Sequence, residues 1–260
     1  MANQLTVLTV KNHNRLRFEK KNDFTFAKKE HNCPLMANEV YNASFSFPIV
    51  FPAGGETIVP QAMLSAIPGT NNCVAEDGSW KGGYLPMHFR RYPFFLGREK
   101  DADKAVILFD EAAPQLGETD GKLLFTKKGE GYTASPLLND IKNSLKAFDE
   151  EYQRTKAFGK LLKNAKVLTP AKMTVESGGK KQKIVGFSVV DWSKVVKLDD
   201  AVLANWTRIG LIQLIHDHLQ SLKRYGLAAP ANSDNAGTET KKSDAAQPAK
   251  ATKAKKAKKK

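Results

Sequence analysis

The stretch that most restricts how this chain can fold is Trp80–Leu96, read as W-K-G-G-Y-L-P-M-H-F-R-R-Y-P-F-F-L. Pro86 and Pro93 lack a backbone N–H and hold φ near −65°, so a long helix through this segment is excluded. Its aromatic and leucine content is too high for an exposed loop, so an extended or turn-broken path buried against other elements is expected. Arg90 and Arg91 sit in the middle of it, and a buried guanidinium must find acceptors or aromatic faces. In an extended segment the two arginines point to opposite sides. One is then expected inward, against Asp110 or Glu111 at the end of a core strand; the other course is that the pair binds an anion or stacks on a ligand.

The rest of the chain divides around this segment. Asp23-Phe24-Thr25-Phe26 alternates as a short strand does, and Phe45, Phe47, Ile49 and Phe51 share one face of a period-2 pattern. Pro48 within that pattern makes it an edge or bulged strand. Pro52–Gly55 reads as a turn, Gln61–Ile67 as an apolar run closed by Pro68-Gly69, and Asn71–Gly78 as a strand and turn. Ala105–Phe109 is a buried-strand candidate and Leu123–Phe125 a shorter one. Ser135-Pro136 opens the clearest helix, with an N-cap serine and proline at the first helical position. Leu138, Ile141, Leu145, Phe148 and Tyr152 then recur on one face, and the helix is expected to reach about Leu162 with Gly159 as a weak spot. Lys172–Val190 reads as a β-hairpin around Ser177–Lys180. Asp199 or Asp200 caps a last helix running to Tyr225, stopped by Gly226. Strands, helix, hairpin, helix is the order of an α+β domain, expected over residues 1–226: a short-strand-rich N-terminal part, two amphipathic helices and a β-hairpin in the C-terminal part.

Charge marks the end of that domain. The chain carries a net +14, and from Leu227 onward nine lysines face three acids, so nearly half of the surplus lies in the last 34 residues. This segment has no large apolar residue after Leu227 and is expected to be a disordered Lys/Ala tail. Lys253, Lys255, Lys256, Lys258, Lys259 and Lys260 are its candidates for non-specific polyanion binding through counterion release. Cys33 and Cys73 are too few for a disulfide framework and are expected as unpaired thiols. There is no apolar run long enough to span a membrane and no secretory signal pattern, so the expectation is a soluble protein, cytoplasmic or attached to the cell surface.

Motifs of known chemistry are missing. Gly54-Gly55, Gly82-Gly83 and Gly129-Glu130-Gly131 do not form phosphate loops, and no nucleophile elbow, zincin or Cys/His signature occurs. His216 and His218 are two apart, so on a helix they face opposite ways and cannot share a metal; His218 falls in the apolar stripe with Leu211, Leu214, Ile215 and Leu222. No cofactor and no metal are expected, and a binding role is favoured over catalysis. Should there be a ligand site, its candidates are Arg90, Arg91, Tyr84, His88 and Trp80, with His218 if the last helix reaches them.

The quoted segment, Trp80…Tyr84-Leu85-Pro86…Arg90-Arg91-Tyr92-Pro93-Phe94…Leu96, resembles the signature of the SapC family of bacterial proteins. Other pieces agree in order: Leu16-Arg17, Phe24-Thr25-Phe26-Ala27, His31…Pro34-Leu35, Glu39, Pro48-Ile49-Val50-Phe51, Asp110-Glu111, Leu124-Phe125, Thr155…Phe158, Gly186-Phe187, Val190-Asp191, and Gly210-Leu211-Ile212…Ile215-His216…His218-Leu219…Ser221-Leu222. Asn72-Cys73 departs from the asparagine-leucine pair the family often has there. The resemblance implies an accessory protein of bacterial surface-layer (S-layer) assembly or export, with a surface-layer or secretion component as partner. It carries no catalytic residues to transfer. An inner-membrane permease that shares the name is excluded by the lack of a membrane span.

Overall fold

The computed structural model describes residues 5–98, 105–177 and 180–224. Contacts divide the chain into Met1–Pro230 and Ala231–Lys260, and every described residue lies in the first unit. The architecture is α+β with antiparallel sheets throughout, as the sequence pattern predicts.

The N-terminal half is assembled from short pieces: β1 (Leu5–Val7), α1 (Val10–His13), β2 (Arg17–Phe18), a 3-10 turn at Thr25–Ala27, β3 (Asn32–Pro34), a second 3-10 turn at Ala37–Glu39, α2 (Val40–Ala43), β4 (Ile49–Pro52), β5 (Gln61–Met63), α3 (Met87–Arg90) and β6 (Phe94–Arg98). Then follow β7 (Ala105–Asp110), β8 (Leu116–Gly117), β9 (Lys122–Leu123), β10 (Phe125–Lys128), β11 (Gly131–Ala134) and α4 (Pro136–Asn164). The chain ends with the hairpin β12 (Leu168–Ser177) and β13 (Lys180–Val190), then α5 (Trp192–Val195), α6 (Asp200–Arg208) and α7 (Leu211–Arg224). The strands form a five-stranded sheet β12-β13-β4-β5-β3, two three-stranded sheets β1-β7-β6 and β8-β2-β9, and the β10-β11 hairpin. No helix among the described residues is long and apolar enough to cross a membrane.

Several local expectations are corrected. Asp23–Phe26 is not a strand: the Asp23 carboxylate accepts from the Thr25 N–H at 2.9 Å, an Asx-type contact that turns the chain into the 3-10 segment. The Phe45–Phe51 alternation is a strand only from Ile49. Phe45 lies in the turn after α2, half exposed with its ring on Tyr41, while Pro48 gives only its carbonyl, to Met63 N–H. β4 is central in its sheet and not an edge, with Ile49, Val50 and Phe51 all buried. The single last helix is two, broken at Gly210, whose φ of 84° is the left-handed conformation that glycine adopts without a Cβ penalty. Asp199 does hold the N-cap position of α6, but its side chain makes no capping bond. The expected stop at Gly226 lies outside the described residues, as does the Lys/Ala tail.

The 29-residue α4 organises the core. Ser135 Oγ caps it by accepting from Leu138 N–H at 3.2 Å, and Pro136 occupies its first turn, as expected. Its first half packs Leu138 and Leu145 against Phe94, Ile107, Phe109 and Phe125; its second half packs Phe158 and Leu162 into a larger core with Ile49, Phe51, Trp206 and Ile215. Gly159 is no weak spot. A Cβ there would overlap the Ile58 carbonyl, so glycine lets the loop backbone lie directly on the helix. Thr155 Oγ1 adds a tie by accepting from Ala37 N–H at 2.8 Å while donating to Glu151 O within the helix.

α7 clamps the five-stranded sheet. Ser221 Oγ accepts from Ile49 N–H at 2.9 Å. His218, fully buried, places its Nδ1 2.8 Å from Ile49 O and its Nε2 3.1 Å from Val190 N. β13 pairs with β4 at Phe187–Pro52 and Ser188–Phe51, and Val190 and Ile49 lie two residues further along their strands. The imidazole therefore bridges one carbonyl and one N–H at the end of the ladder, as the neutral tautomer with its proton on Nδ1. Burial pushes its pKa down to about 4.

A candidate ligand cleft over the arginine pair

The Trp80–Leu96 segment is turn-broken, as its prolines require. Trp80 forms an isolated bridge to Val74, α3 makes one turn, Tyr92–Pro93 is a cis peptide, and β6 leads away. Arg90 and Arg91 thus lie at the C-terminal end of one helical turn rather than in an extended strand, and they do not project in opposite directions.

Neither arginine pairs with Asp110 or Glu111. Asp110 is taken by Tyr92, whose hydroxyl donates to Oδ2 at 3.1 Å, and by Ala112 N–H. Burial, then the nearby Asp110 carboxylate, raises the Tyr92 pKa and keeps that donor protonated. Arg90 is exposed and donates to Tyr84 Oη at 3.1 Å, with its guanidinium 5.7 Å from the Tyr84 ring centre. Arg91 lies between two aromatic faces, its Cζ 4.3 Å from the Phe148 ring and 4.8 Å from Phe95. Its Nη2 is 3.4 Å from His88 Nδ1, and its buried Nε has no hydrogen-bond partner among the described residues. Burial draws its pKa down to about 10, which leaves it charged at neutral pH.

Beside this cation opens a cleft of about 270 Å³. Phe18, Phe24, Phe26, Phe89, Phe94 and Leu145 supply its apolar lining; Lys20, Lys21, Arg90, Arg91, Asp23, Asp140, Gln115 and Ser144 supply the polar part. The cleft lies where the two cores joined by α4 meet: Phe24 and Phe89 belong to the larger, Phe94 and Leu145 to the smaller. Phe26 stacks on Tyr92 at 3.7 Å between ring centres, which stiffens the wall.

Of the sequence candidates, Arg90 and Arg91 line this cleft. Tyr84 and His88 stand behind them as hydrogen-bond partners. Burial, then the Arg91 charge, lowers the His88 pKa to about 3, so the imidazole facing Arg91 is neutral. Trp80 packs on Phe24 and Phe89, at 5.7 and 5.5 Å, from the far side of the lining. His218 is in the sheet clamp, apart from this group. The candidate lysines of the tail lie outside the described residues. Sequence reasoning missed Lys20, Asp23, Gln115, Asp140 and Ser144. They come from separate loops and from α4, and no local pattern links them; the partial exposure of Ile141 within an otherwise apolar stripe is visible only after folding.

Behind the arginines, Glu39 is 2 % exposed and accepts from Met87 N–H through both oxygens at 3.3 Å. Burial raises its pKa to about 7. Cys33 and Cys73 are free and buried, and burial pushes both thiols up, Cys73 to about 11. Among the described residues no cluster of three His, Cys, Asp or Glu side chains could hold a metal ion.

Comparison with known proteins finds no match among curated proteins and none among solved structures. The SapC family model matches residues 8–226, nearly the whole of the chain up to its lysine-rich end, and the protein belongs to the SapC family.

Proposed function

We propose that this SapC-family chain is a non-catalytic binding protein that acts in bacterial surface-layer assembly or export, and that it recognises its ligand or partner through the cleft over Arg90 and Arg91. The observation that carries the cleft is Arg91: a charged guanidinium held between aromatic rings, with an apolar lining beside it. Small-molecule and peptide sites combine such apolar walls with a few placed polar groups. The surface-layer setting rests on the family resemblance. A non-catalytic role is supported by the placement of the strongest acid–base and nucleophile candidates. Glu39, Cys33 and His218 are enclosed, and none of them lines the cleft.

Deleting the gene and fractionating cells tests the setting. A disturbed surface layer, restored by the intact chain and not by Ser144→Trp, is expected, since an indole at this exposed cleft position fills the opening. A strictly cytosolic pool with an unchanged surface layer after deletion would sink the proposal.

A further inference from the structure

Resting on the cleft as a binding site, we infer that its ligand is an apolar carboxylate: an aryl or alkyl group seated on the aromatic lining, with its carboxylate at Arg91.

Charge decides the sign of the ligand. Arg91 makes aromatic contacts on two sides and one contact to the His88 ring, and no carboxylate among the described residues pairs with it. Arg90 adds a second, exposed cation whose hydrogen-bond partner is the neutral Tyr84 hydroxyl, while its charge also reaches the buried Glu39 carboxyl behind it. Lys20 adds a third, whereas Lys21 is already held by Glu19 at 3.2 Å and Pro114 O at 3.1 Å. Two acids share the lining. Asp23 is partly used, since one oxygen accepts from Thr25 N–H; Asp140 stands on the α4 side. The arginine side therefore carries the larger uncompensated charge, and a guanidinium offers planar, paired donors that match a carboxylate.

Shape decides the rest. Some 270 Å³ lined by phenylalanines and leucine fits a phenyl or short alkyl group, below the size range of most whole-ligand pockets. Two sources present this chemistry: a free small acid, or the apolar C-terminal residue of a peptide.

Calorimetric titration of the full chain separates the possibilities with 3-phenylpropanoate, its primary amide, and phenethylamine. At least tenfold tighter binding of the acid than of the amide is expected, with no measurable binding of the amine. Arg91→Gln should bring acid affinity down to that of the amide and leave the amide unchanged, a readout that a misfolded variant would not show. Repeating the comparison with N-acetyl-Leu-Phe and its C-terminal amide assigns the source: the same tenfold preference marks a chain terminus, and binding by 3-phenylpropanoate alone marks a free acid. Equal affinity for acid and amide, preference for the amine, or no binding of any probe overturns the inference. If Ser144→Trp abolishes binding of the neutral or cationic probes, the cleft remains a binding site and only the ligand class falls. If Ser144→Trp leaves all binding unchanged, the cleft itself is wrong.

Discussion

His218, fully buried, and Arg91, partly buried, are both ionisable side chains set into the fold, and the protein treats them in opposite ways. The His218 ring has both nitrogens bonded to backbone, one strand on each side. Arg91 has ring faces, one imidazole contact and an Nε with no partner among the described residues. The first arrangement leaves nothing over for a ligand. The second leaves a charge that no carboxylate among the described residues neutralises, at the edge of an open cleft. Saturated polar groups inside a protein hold structure together; unsaturated ones beside a cavity are where binding is to be sought.

Substitution should separate the two most sharply. Replacing His218 by Phe orphans Ile49 O and Val190 N–H inside the sheet, at an expected cost of about 3 kcal/mol. Thermal unfolding should fall by roughly 6–12 °C for a domain of this size. Arg91→Met removes a partly buried cation that has no carboxylate partner among the described residues and keeps an apolar stem between Phe95 and Phe148. The lost cation–π contacts and the recovered desolvation nearly cancel, so stability should change by no more than about 1 kcal/mol. Equal destabilisation by both variants in denaturant titrations would break the contrast.

Acid sharpens it further. The His218 pKa sits near 4 in the fold against 6.5 for the free side chain, so between those values the unfolded chain takes up a proton that the folded one refuses. This contribution, roughly 3 kcal/mol at most, is present above pH 6.5 and lost as the pH falls towards 4. His88 acts in the same direction, with its pKa near 3. Glu39 acts oppositely. Its pKa is raised from 4.5 to about 7, so its contribution is full below 4.5 and lost as the pH rises through 7. Glu39→Gln keeps a carbonyl oxygen for Met87 N–H and cannot ionise. It should therefore be more stable than the parent above pH 7, by on the order of 2 kcal/mol, with the difference gone below pH 4.5. Urea melts of both proteins across pH 4–8 check this; a pH-independent difference would show that the fold does not shift the Glu39 pKa.

The smallest effect on the folded part is expected from removing everything after Gly226. We propose that the lysines of that segment bind polyanions non-specifically. Truncation should abolish salt-sensitive DNA retention on a column while carboxylate binding at Arg91 stays intact. Retained DNA binding would move that property into the body, whose own charge is moderately basic.

Local chemistry was legible in the sequence wherever one or two neighbouring residues settle the backbone. Ser135-Pro136 opened α4, the Leu138–Leu145–Phe148 periodicity found its buried face, and the two prolines broke the Trp80–Leu96 path. The misreadings arose where a side chain or a distant partner competed with local pattern. Asp23 turned a would-be strand by bonding Thr25 N–H, and Gly210 split a helix whose apolar stripe runs on unbroken. Gly159 looked like a flaw because the Ile58 carbonyl resting on it comes from a hundred residues upstream.

By itself, then, the sequence determined the fold class, the family signature, the long helix with its cap, and the fact that Arg90 and Arg91 had to be accommodated among aromatics. Only the tertiary structure decided how. It gave Asp110 to Tyr92 instead of an arginine, set Phe95 and Phe148 on either side of Arg91, and brought Lys20, Gln115 and Asp140 to the same cleft. Those choices depend on which partner reaches a group first in three dimensions, and residues separated by up to 120 positions carry no local trace of their meeting.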